Sequence, residues 1–325
     1  MDYEIIVTLG PSSETESIWP ALLAAGATGF RLNTSHLTLA QLRAWLDRLR
    51  PFLAERNPLP PLILDLQGSK WRLGDFPACE LAAGQRVTLV GAAAIERPQL
   101  LPVPHPDFFQ AAALSSGEIV LDDARVRLVI ESLASDSLTA RVIQGGALVA
   151  RKGITYTSSK YRQESLSEKD QTIVADTRHL SFIRYALSYV KDAVEMARYR
   201  AYCGEAAYLI AKLERQPAVE QARPIAGAAD ELWLCRGDLG AELGARAMAE
   251  TVARFAAEVK LLPAPVFLAG QVLEHLTEHP APTRSEVCHL YDLLKQGYRG
   301  VVLSDETAIG RDPVASCRAA ALFRA

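Results

Sequence analysis

The sequence predicts an α/β protein, a (β/α)8 TIM barrel with a small β-domain (a lid) inserted after the third strand. About eight short apolar runs alternate with longer segments of helical periodicity, which is typical of parallel strands joined by helices. One segment in the first half of the chain is rich in strands instead, and charged residues follow several of the apolar runs. An open doubly wound sheet is the alternative that the alternation alone leaves open.

The predicted strands are short and mostly apolar. They are EIIVTL (4–9), GFRLNT (29–34), PLILDL (61–66), FIRYALSYV (182–190), AYLIAKLE (207–214), ELWLCRG (231–237), APVFLAG (264–270) and GVVLSD (300–305). Eight such units in succession favour a closed parallel barrel.

Between the strands, apolar residues recur at helical spacing. The clearest segments are SIWPALLAAG, TLAQLRAWLDRLRPFLAER, AVEMARYRAY, PAVEQARPIAGAA, AMAETVARFAAEVKLL, SEVCHLYDLLKQG and PVASCRAAALFRA. Ser167 is a suitable N-cap for a further helix over 167–180. These helices would form the outer layer of the barrel.

The strand-rich segment runs from about Asp75 to Ala150 and contains QRVTLV, GEIVLDDARVRLVI and SLTARVIQGG. Its period-two alternation and its Gly and Pro residues predict a small β-domain. The predicted domains are therefore a barrel over 1–74 and 151–325 and an inserted domain over 75–150. Such an insertion would lie over the carboxyl-terminal mouth of the barrel as a lid.

The composition argues against several classes of function. The formal charge is −3 with both signs interspersed, whereas a nucleic-acid partner calls for a basic face. No apolar run approaches the about 20 residues of a membrane span, and the N-terminal MDYEIIVTLGPSS lacks the pattern of a signal peptide. The five cysteines are scattered, as in a reduced cytoplasmic protein. We therefore expect a cytoplasmic protein without nucleic-acid or membrane partners.

Charged residues cluster at the ends of four predicted strands, in RLNTSH (31–36), LDLQGSKWR (64–72), AKLER (211–215) and CRGDLG (235–240). In a barrel these ends meet at the carboxyl-terminal face, where active sites are built. The residues expected to converge there are Arg31, Asp65, Arg72, Lys212, Glu214 and Asp238.

The mixture of charges has a chemical meaning. Glu214 and Asp238 are hard oxygen ligands suited to Mg²⁺ or Mn²⁺. Arg31, Arg72 and Lys212 suit an anionic, phosphate-bearing substrate. Glycines on either side of Asp238 would allow close approach of a ligand to the backbone, and we expect the following helix to offer free N–H groups. Phosphoryl transfer fits best, because it depends mostly on positioning and charge neutralisation.

These motifs resemble the pyruvate kinase family over nearly the whole chain. VTLGPSS, GFRLNTSH, LILDLQGSKWRLG, RKGIT, LIAKLERQPAV, LCRGDLGAEL, PVFLAGQVLEHL and VVLSDETAIGRDPV follow the order of the family's motifs. The resemblance implies a barrel with a lid domain after the third strand.

The resemblance also implies a role for each matched residue. Arg31 and Arg72 would contact the phosphate, and Lys212 would stabilise the phosphoryl transition state and the enolate. Glu214 and Asp238 would bind the divalent ion. The remaining positions are Gly237, Asp238 and Gly270 for the substrate, His36 and Lys152 for the nucleotide, Asn33, Ser35, Asp65 and Leu66 for a monovalent cation, and Asp123 as a lid contact.

Four positions depart from the family pattern. Gly270 replaces a threonine whose hydroxyl lies near the carbon to be protonated; its loss would slow protonation by about 10²- to 10⁴-fold or leave room for a bulkier substrate. Lys70 stands where many members have glutamate, and its ammonium would stand in for potassium, so we expect no K⁺ requirement. Leu66 replaces a second threonine, and Asp305 places an extra carboxylate after the eighth strand.

The chain ends after the eighth helix, without the family's C-terminal domain. We therefore expect no sugar-phosphate regulation of the kind that this domain carries, and we expect any homodimer to use barrel surfaces.

Three hypotheses follow. The first is a phosphotransferase that moves a phosphoryl group between phosphoenolpyruvate, or a related enol phosphate, and ADP, with ATP as the phosphorylated nucleotide and with Mg²⁺ or Mn²⁺ bound. The second is an Mg²⁺-dependent lyase, aldolase or decarboxylase that acts on a 2-oxo acid through a pyruvate-type enolate. The third is a non-catalytic sensor of phosphoenolpyruvate or a nucleotide.

Overall fold

Eight parallel strands close into a barrel, which confirms the predicted (β/α)8 fold. The computed structural model describes residues 1–97, 99–113, 118–122, 124–156 and 166–324. Numbered along the chain, the strands are β1 (Glu4–Thr8), β2 (Gly29–Asn33), β3 (Leu62–Leu66), β4 (Cys79–Leu81), β5 (Arg86–Val90), β6 (Leu100–Pro102), β7 (Glu118–Leu121), β8 (Val126–Leu133), β9 (Ser137–Gln144), β10 (Gly146–Leu148), β11 (Ile154–Tyr156), β12 (Ile183–Leu187), β13 (Tyr208–Leu213), β14 (Glu231–Cys235), β15 (Val266–Ala269) and β16 (Gly300–Leu303). Around the barrel their order is β1-β16-β15-β14-β13-β12-β3-β2, and β2 pairs with β1 to close it.

Most of the helices follow the predicted segments, but those at Pro106–Ala113 and Asp305–Ala308 lie outside them, and the segment PAVEQARPIAGAA forms two short helices. The helices are α1 (Ile18–Ala24), α2 (Leu39–Ala54), α3 (Pro106–Ala113), α4 (Glu168–Thr177), α5 (Ala193–Cys203), α6 (Gln216–Glu220), α7 (Ala222–Ala226), α8 (Arg236–Glu258), α9 (Arg284–Gln296), α10 (Asp305–Ala308) and α11 (Pro313–Ala320), with 3-10 turns at Pro11–Ser13, Thr34–His36, Val259–Leu261 and Glu274–Thr277. The predicted N-cap at Ser167 is confirmed, since its side chain accepts a hydrogen bond from the Asp170 backbone N–H. Among the described residues no helix combines the length and the apolar character that a membrane crossing requires.

The chain divides into two compact units, which we describe separately. The barrel unit comprises Met1–Gly68, Leu166–Arg236 and Glu250–Ala325. The second unit comprises Ser69–Ser165 and Gly237–Ala249. It therefore begins before the predicted inserted domain at 75, and it also takes in the first part of α8.

The second unit is built on a six-stranded sheet in the order β11-β7-β8-β9-β5-β6, with a separate pair β10-β4. Its core contains Trp71, whose ring packs edge-on against Phe108 and Tyr156. The start of β8 alternates as predicted, because Val126 and Leu128 are buried, whereas Arg127 and Val129 are only partly buried. The period-two pattern of the sequence thus identified the buried face of this strand.

An apolar layer fills the middle of the barrel. Seven of the eight barrel strands contribute an inward-facing side chain to this layer: Ile6, Ile63, Ala186, Ile210, Trp233, Phe267 and Val302. Because side chains alternate along a strand, the residues two positions before and after each of these also face inward. The apolar layer therefore separates two polar ends of the barrel interior.

The polar group at the amino-terminal end of the barrel centres on Glu231. Its carboxylate accepts hydrogen bonds from Trp233 Nε1 at 2.5 Å and from the Tyr208 hydroxyl at 3.0 Å, and it lies 3.5 Å from Arg184 Nη1. Burial raises the pKa of Glu231 from 4.5 to about 7, because the charge of Arg184 and these hydrogen bonds offset the loss of water only in part.

We expect the Glu231→Gln substitution to remove a pH dependence of stability. The folded-state pKa lies above the unfolded value, so the stabilisation is complete at low pH and is lost as the pH rises from 4.5 to about 7. The shift corresponds to about 3 kcal/mol of unfolding free energy. Urea unfolding of both proteins at several pH values in this range would measure it. The exposed Glu258→Gln variant is the control, and an unchanged pH slope in the Glu231→Gln protein would contradict the assignment.

Candidate active site

A second polar layer lies inside the barrel at the carboxyl-terminal ends of the strands. Most of its members lie two positions beyond a residue of the apolar layer, as Lys212 follows Ile210 and Asp65 follows Ile63. The alternation that buries the apolar layer therefore also directs these polar groups inward. The buried members are Thr8, Arg31, Asp65, Ser188 and Lys212.

Asp65, at the end of β3, joins the two cations of this layer. Arg31 binds its Oδ2 through Nε at 2.8 Å and Nη2 at 2.6 Å. Lys212 Nζ donates to its Oδ1 at 3.1 Å and to Ser188 Oγ at 2.9 Å. Arg31 Nη1 also donates to Thr8 Oγ1 at 2.8 Å. The structure thus brings three of the predicted site residues together within one hydrogen-bonded group.

The charges of this group shift each other's pKa values. Burial alone would raise the pKa of Asp65, but the charges of Lys212 and Arg31 and their hydrogen bonds lower it to about 2. Burial alone would lower the pKa of Lys212, but the carboxylates of Asp65 and Glu214 raise it above its ordinary value. Both side chains are therefore held in their charged forms.

Glu214 follows β13 and lies beside Lys212, as the two-residue spacing predicts for a strand. Lys212 Nζ lies 2.9 Å from Glu214 Oε1, and the Tyr189 backbone N–H donates to Oε2 at 2.7 Å. Only 2% of Glu214 is exposed. The opposite charges at the end of this buried strand thus compensate each other.

The residues predicted to hold a monovalent cation have protein partners here. The Asn33 side chain accepts from the Ser35 backbone N–H at 3.3 Å, and Ser188 Oγ donates to the Leu66 carbonyl oxygen at 2.8 Å. Asp65 carries the ion pairs described above. The prediction of a cation site at these residues stays a prediction.

In the second unit, Lys70 pairs with Asp238. Its Nζ lies 2.5 Å from Oδ1 and 2.6 Å from Oδ2, and both side chains are largely buried. Gly153 lies against the Lys70 stem, since a Cβ at that position would come within 2.7 Å of Lys70 Cε. α8 begins at Arg236, directly after β14, so Gly237 and Asp238 lie in its first turn and not before it. The non-helical backbone of Gly244 divides α8 into two segments, and the second of these follows Asp238 in the chain.

Arg72 and Lys152 also belong to the second unit. Arg72 Nη1 donates to the Arg151 carbonyl oxygen at 2.9 Å, and its buried Nε has no hydrogen-bond partner among the described residues. Lys152 Nζ lies 2.8 Å from Asp122 Oδ1. His36 lies in the barrel unit, at the exposed end of the 3-10 turn Thr34–His36.

Gly270 and Asp305, two of the positions that depart from the family pattern, follow the last two strands of the barrel. Gly270, directly after β15, has φ 82°, a left-handed conformation that glycine adopts without strain. Asp305 begins α10 and is exposed, whereas its neighbour Glu306 is buried and accepts hydrogen bonds from the Leu273 and Ser304 backbone N–H groups. The candidate lid contact Asp123 lies outside the described residues.

Sequence reasoning missed three polar residues of the barrel unit. Ser188 and Thr8 bind the buried cations, and Asp170 accepts from the backbone N–H groups of Gln67 and Gly68 at 3.2 and 3.0 Å, which holds the turn after β3. Ser188 and Thr8 lie two positions beyond apolar inward-facing residues, so the alternation rule could have found them. Asp170 offered no such signal.

The barrel and its buried ionic layer define a (β/α)8 protein with a polar centre where such barrels carry their active sites. Across the described residues, no group of three or more His, Cys, Asp or Glu side chains is arranged to hold a metal ion.

Comparison with known proteins gives the family. The model of the pyruvate kinase barrel domain matches residues 2–317. The pyruvate kinases of Agrobacterium vitis and Methylorubrum extorquens are each 30% identical to the chain, over 96% of its length and 65% of their own. Pyruvate kinase 2 of Synechocystis sp. is also 30% identical, over 96% of the chain and 54% of its own length. The chain thus belongs to the pyruvate kinase barrel-domain family, which confirms the resemblance, and it spans less than two thirds of these relatives.

We expect the Asp65→Asn substitution to destabilise the protein by about 3–5 kcal/mol, because two buried cations would lose their shared anion. Chemical denaturation would measure the loss. Asp176→Asn is the matched control, since Asp176 pairs with Arg43 at the surface, where such pairs contribute about 1 kcal/mol or less. Equal losses in the two variants would contradict the role assigned to Asp65.

Proposed function

We propose that this protein is a phosphotransferase that moves a phosphoryl group between an enol phosphate, phosphoenolpyruvate or a related acid, and ADP. The observation that carries the proposal is the buried network of Arg31, Asp65, Lys212 and Glu214 at the carboxyl-terminal end of the barrel. Membership of the pyruvate kinase barrel-domain family supports the same reaction class.

The network suits a reaction that depends on charge neutralisation. Arg31 and Lys212 are fixed by Asp65 on rigid strands, so little reorganisation is needed when an anion binds. In the proposal, Arg31 binds the phosphoryl oxygens and Lys212 stabilises the charge that develops on the transferring group and on the enolate oxygen. Lys212 stays protonated throughout, consistent with its raised pKa.

Glu214 and Asp238 are the proposed ligands of a divalent cation, Mg²⁺ or Mn²⁺. Their chemistry fits, since both are largely buried carboxylates and such ions prefer oxygen ligands. When bound, the ion would supply Lewis-acid polarisation of the substrate oxygens. In this proposal the fixed ammonium of Lys70 stands in for a monovalent cation, and K⁺ is not required.

The remaining assignments concern the substrate and the nucleotide. Arg72, whose buried Nε has no hydrogen-bond partner in the part of the chain that the structure describes, is the proposed second phosphate ligand, and Gly237 is assigned to the substrate. His36 and Lys152 are assigned to the nucleotide. Lys152 pairs with Asp122, so nucleotide binding would exchange that ion pair for one with phosphate.

One observation favours the second candidate function, an Mg²⁺-dependent lyase, aldolase or decarboxylase acting on a 2-oxo acid. Gly270 offers neither a hydroxyl to relay a proton nor a side chain to fill the pocket. Under this alternative an electrophile or a larger acid group occupies the space. The lyase would release pyruvate without ADP, whereas the phosphotransferase needs the nucleotide.

A screen of enol phosphates and 2-oxo acids, with and without ADP and Mg²⁺, tests the proposal. We expect ATP formation that requires ADP and is abolished by chelation of the metal. Lys212→Met should lower kcat by on the order of 10³-fold, because a preorganised charge is lost. Lys295→Met, at an exposed position of α9, is the matched control and should retain full activity.

Two outcomes would count against the phosphotransferase. Release of pyruvate from a 2-oxo acid without ADP would support the lyase. Tight binding of phosphoenolpyruvate or nucleotide in calorimetry, with no turnover of any substrate, would support a sensor. Circular dichroism of the Lys212→Met protein separates loss of activity from loss of fold.

A further inference from the structure

Arg236 joins two elements of the barrel unit to the turn that follows β15. Its Nε and Nη2 donate to the Gly270 carbonyl oxygen at 3.1 and 2.9 Å, and Nη2 also donates to the Gln271 carbonyl oxygen at 2.5 Å. The remaining nitrogen, Nη1, lies 2.8 Å from Nε2 of His289 on α9. One side chain therefore binds two consecutive carbonyl groups and a histidine ring.

The contact fixes the protonation of His289. A guanidinium has donors only, so Nε2 of His289 must accept, and the ring must be neutral with its proton on Nδ1. Burial, and then the charge of Arg236, lower the pKa of His289, which favours the same neutral form. Protonation would remove the acceptor and place a second positive charge beside Arg236.

The turn held in this way has an unusual backbone. Gly270 has φ 82° and Gln271 has φ 55°, and a left-handed conformation is uncommon for a residue other than glycine. Such a backbone persists where surrounding contacts fix it. The hydrogen bonds from Arg236 to both carbonyl groups are contacts of this kind. Further along, the Leu273 backbone N–H donates to Glu306 Oε1 at 3.0 Å.

We propose that Arg236 is a positioning residue whose guanidinium, oriented by neutral His289, holds the Gly270–Gln271 turn and so sets the shape of the pocket beside the substrate. The inference rests on the proposed function only in the assignment of Gly270 to the substrate side. The inference that Arg236 holds the turn depends only on its hydrogen-bond distances to the Gly270 and Gln271 carbonyl oxygens.

Several other titratable groups act on the pair. Asp292 lies on the same helix as His289 and favours its protonation, but less than burial and Arg236 oppose it. The other groups whose charge acts on Arg236 are Tyr298, Glu306 and Glu274. The contribution of the Arg236–His289 contact is therefore complete above the ordinary histidine pKa of 6.5 and is lost as the pH falls through the lowered value.

Hydrogen exchange of the segment 264–276 tests the hold on the turn, with the Leu273 amide as reporter. His289→Leu removes the acceptor, whereas His289→Gln keeps one that does not titrate. The exposed His179→Leu is the control. We expect exchange to be roughly 10- to 100-fold faster in His289→Leu, the range expected for a lost hydrogen bond to a charged group, and unchanged in His289→Gln and in the control. Stepwise acidification below pH 6.5, after correction for intrinsic exchange, should accelerate exchange in the wild type as the pH falls through the lowered pKa of His289, but not in His289→Gln.

Two results would overturn the proposal: exchange in His289→Leu equal to that of the wild type, or nitrogen NMR of the wild type showing the proton on Nε2 of His289. The NMR measurement needs no variant, so a failure of His289→Leu to fold leaves the test intact.

Catalytic activity is measured in a separate assay. If an enol phosphate proves to be a substrate, the His289→Leu variant should have a raised KM for it. The His289→Gln variant should have the KM of the wild type. If no enol phosphate reacts, the proposed function fails while the exchange result still decides the role of Arg236.

Discussion

The buried carboxylate of Asp65 is the group on which the barrel centre depends. Arg31 and Lys212 project into an interior whose effective dielectric is far below that of water, where two unit charges 4 Å apart interact by about 4 kcal/mol. Without Asp65 these cations would repel each other and lose the acceptor that they share. With Asp65 and Glu214 present, two anions offset two cations, and each charged group has a partner at hydrogen-bond distance.

Neutrality has a further effect on ligand binding. A phosphate that enters such a site must compete with the carboxylates for the same donors, so part of its interaction energy replaces contacts that already exist. The same holds in the second unit, where Asp238 is bound to Lys70. Under the proposed function, specificity would then arise from how well a ligand matches the fixed donor positions, since only a matching anion restores all of the hydrogen bonds.

Much of the fold was accessible from the sequence, because apolar runs and their spacing report directly on strands and helices. The pairing of Lys212 with Glu214 was equally accessible, since residues two apart share a face of a strand. The partners across the barrel were not. Whether Lys212 meets Ser188 depends on the register between β12 and β13, which no local pattern specifies. The early start of α8 was also hidden, because Gly237 lowers helix propensity and suggests a loop.

The left-handed backbone at Gly270 couples this position to its neighbours when the sequence changes. Any side chain introduced there carries a conformational cost, and a β-branched one carries more. Threonine here would carry a backbone cost of about 1–3 kcal/mol, and any change of the turn that relieved it would move the carbonyl groups that Arg236 binds. In evolutionary terms, Gly270 and the residues that hold its turn are therefore expected to change together.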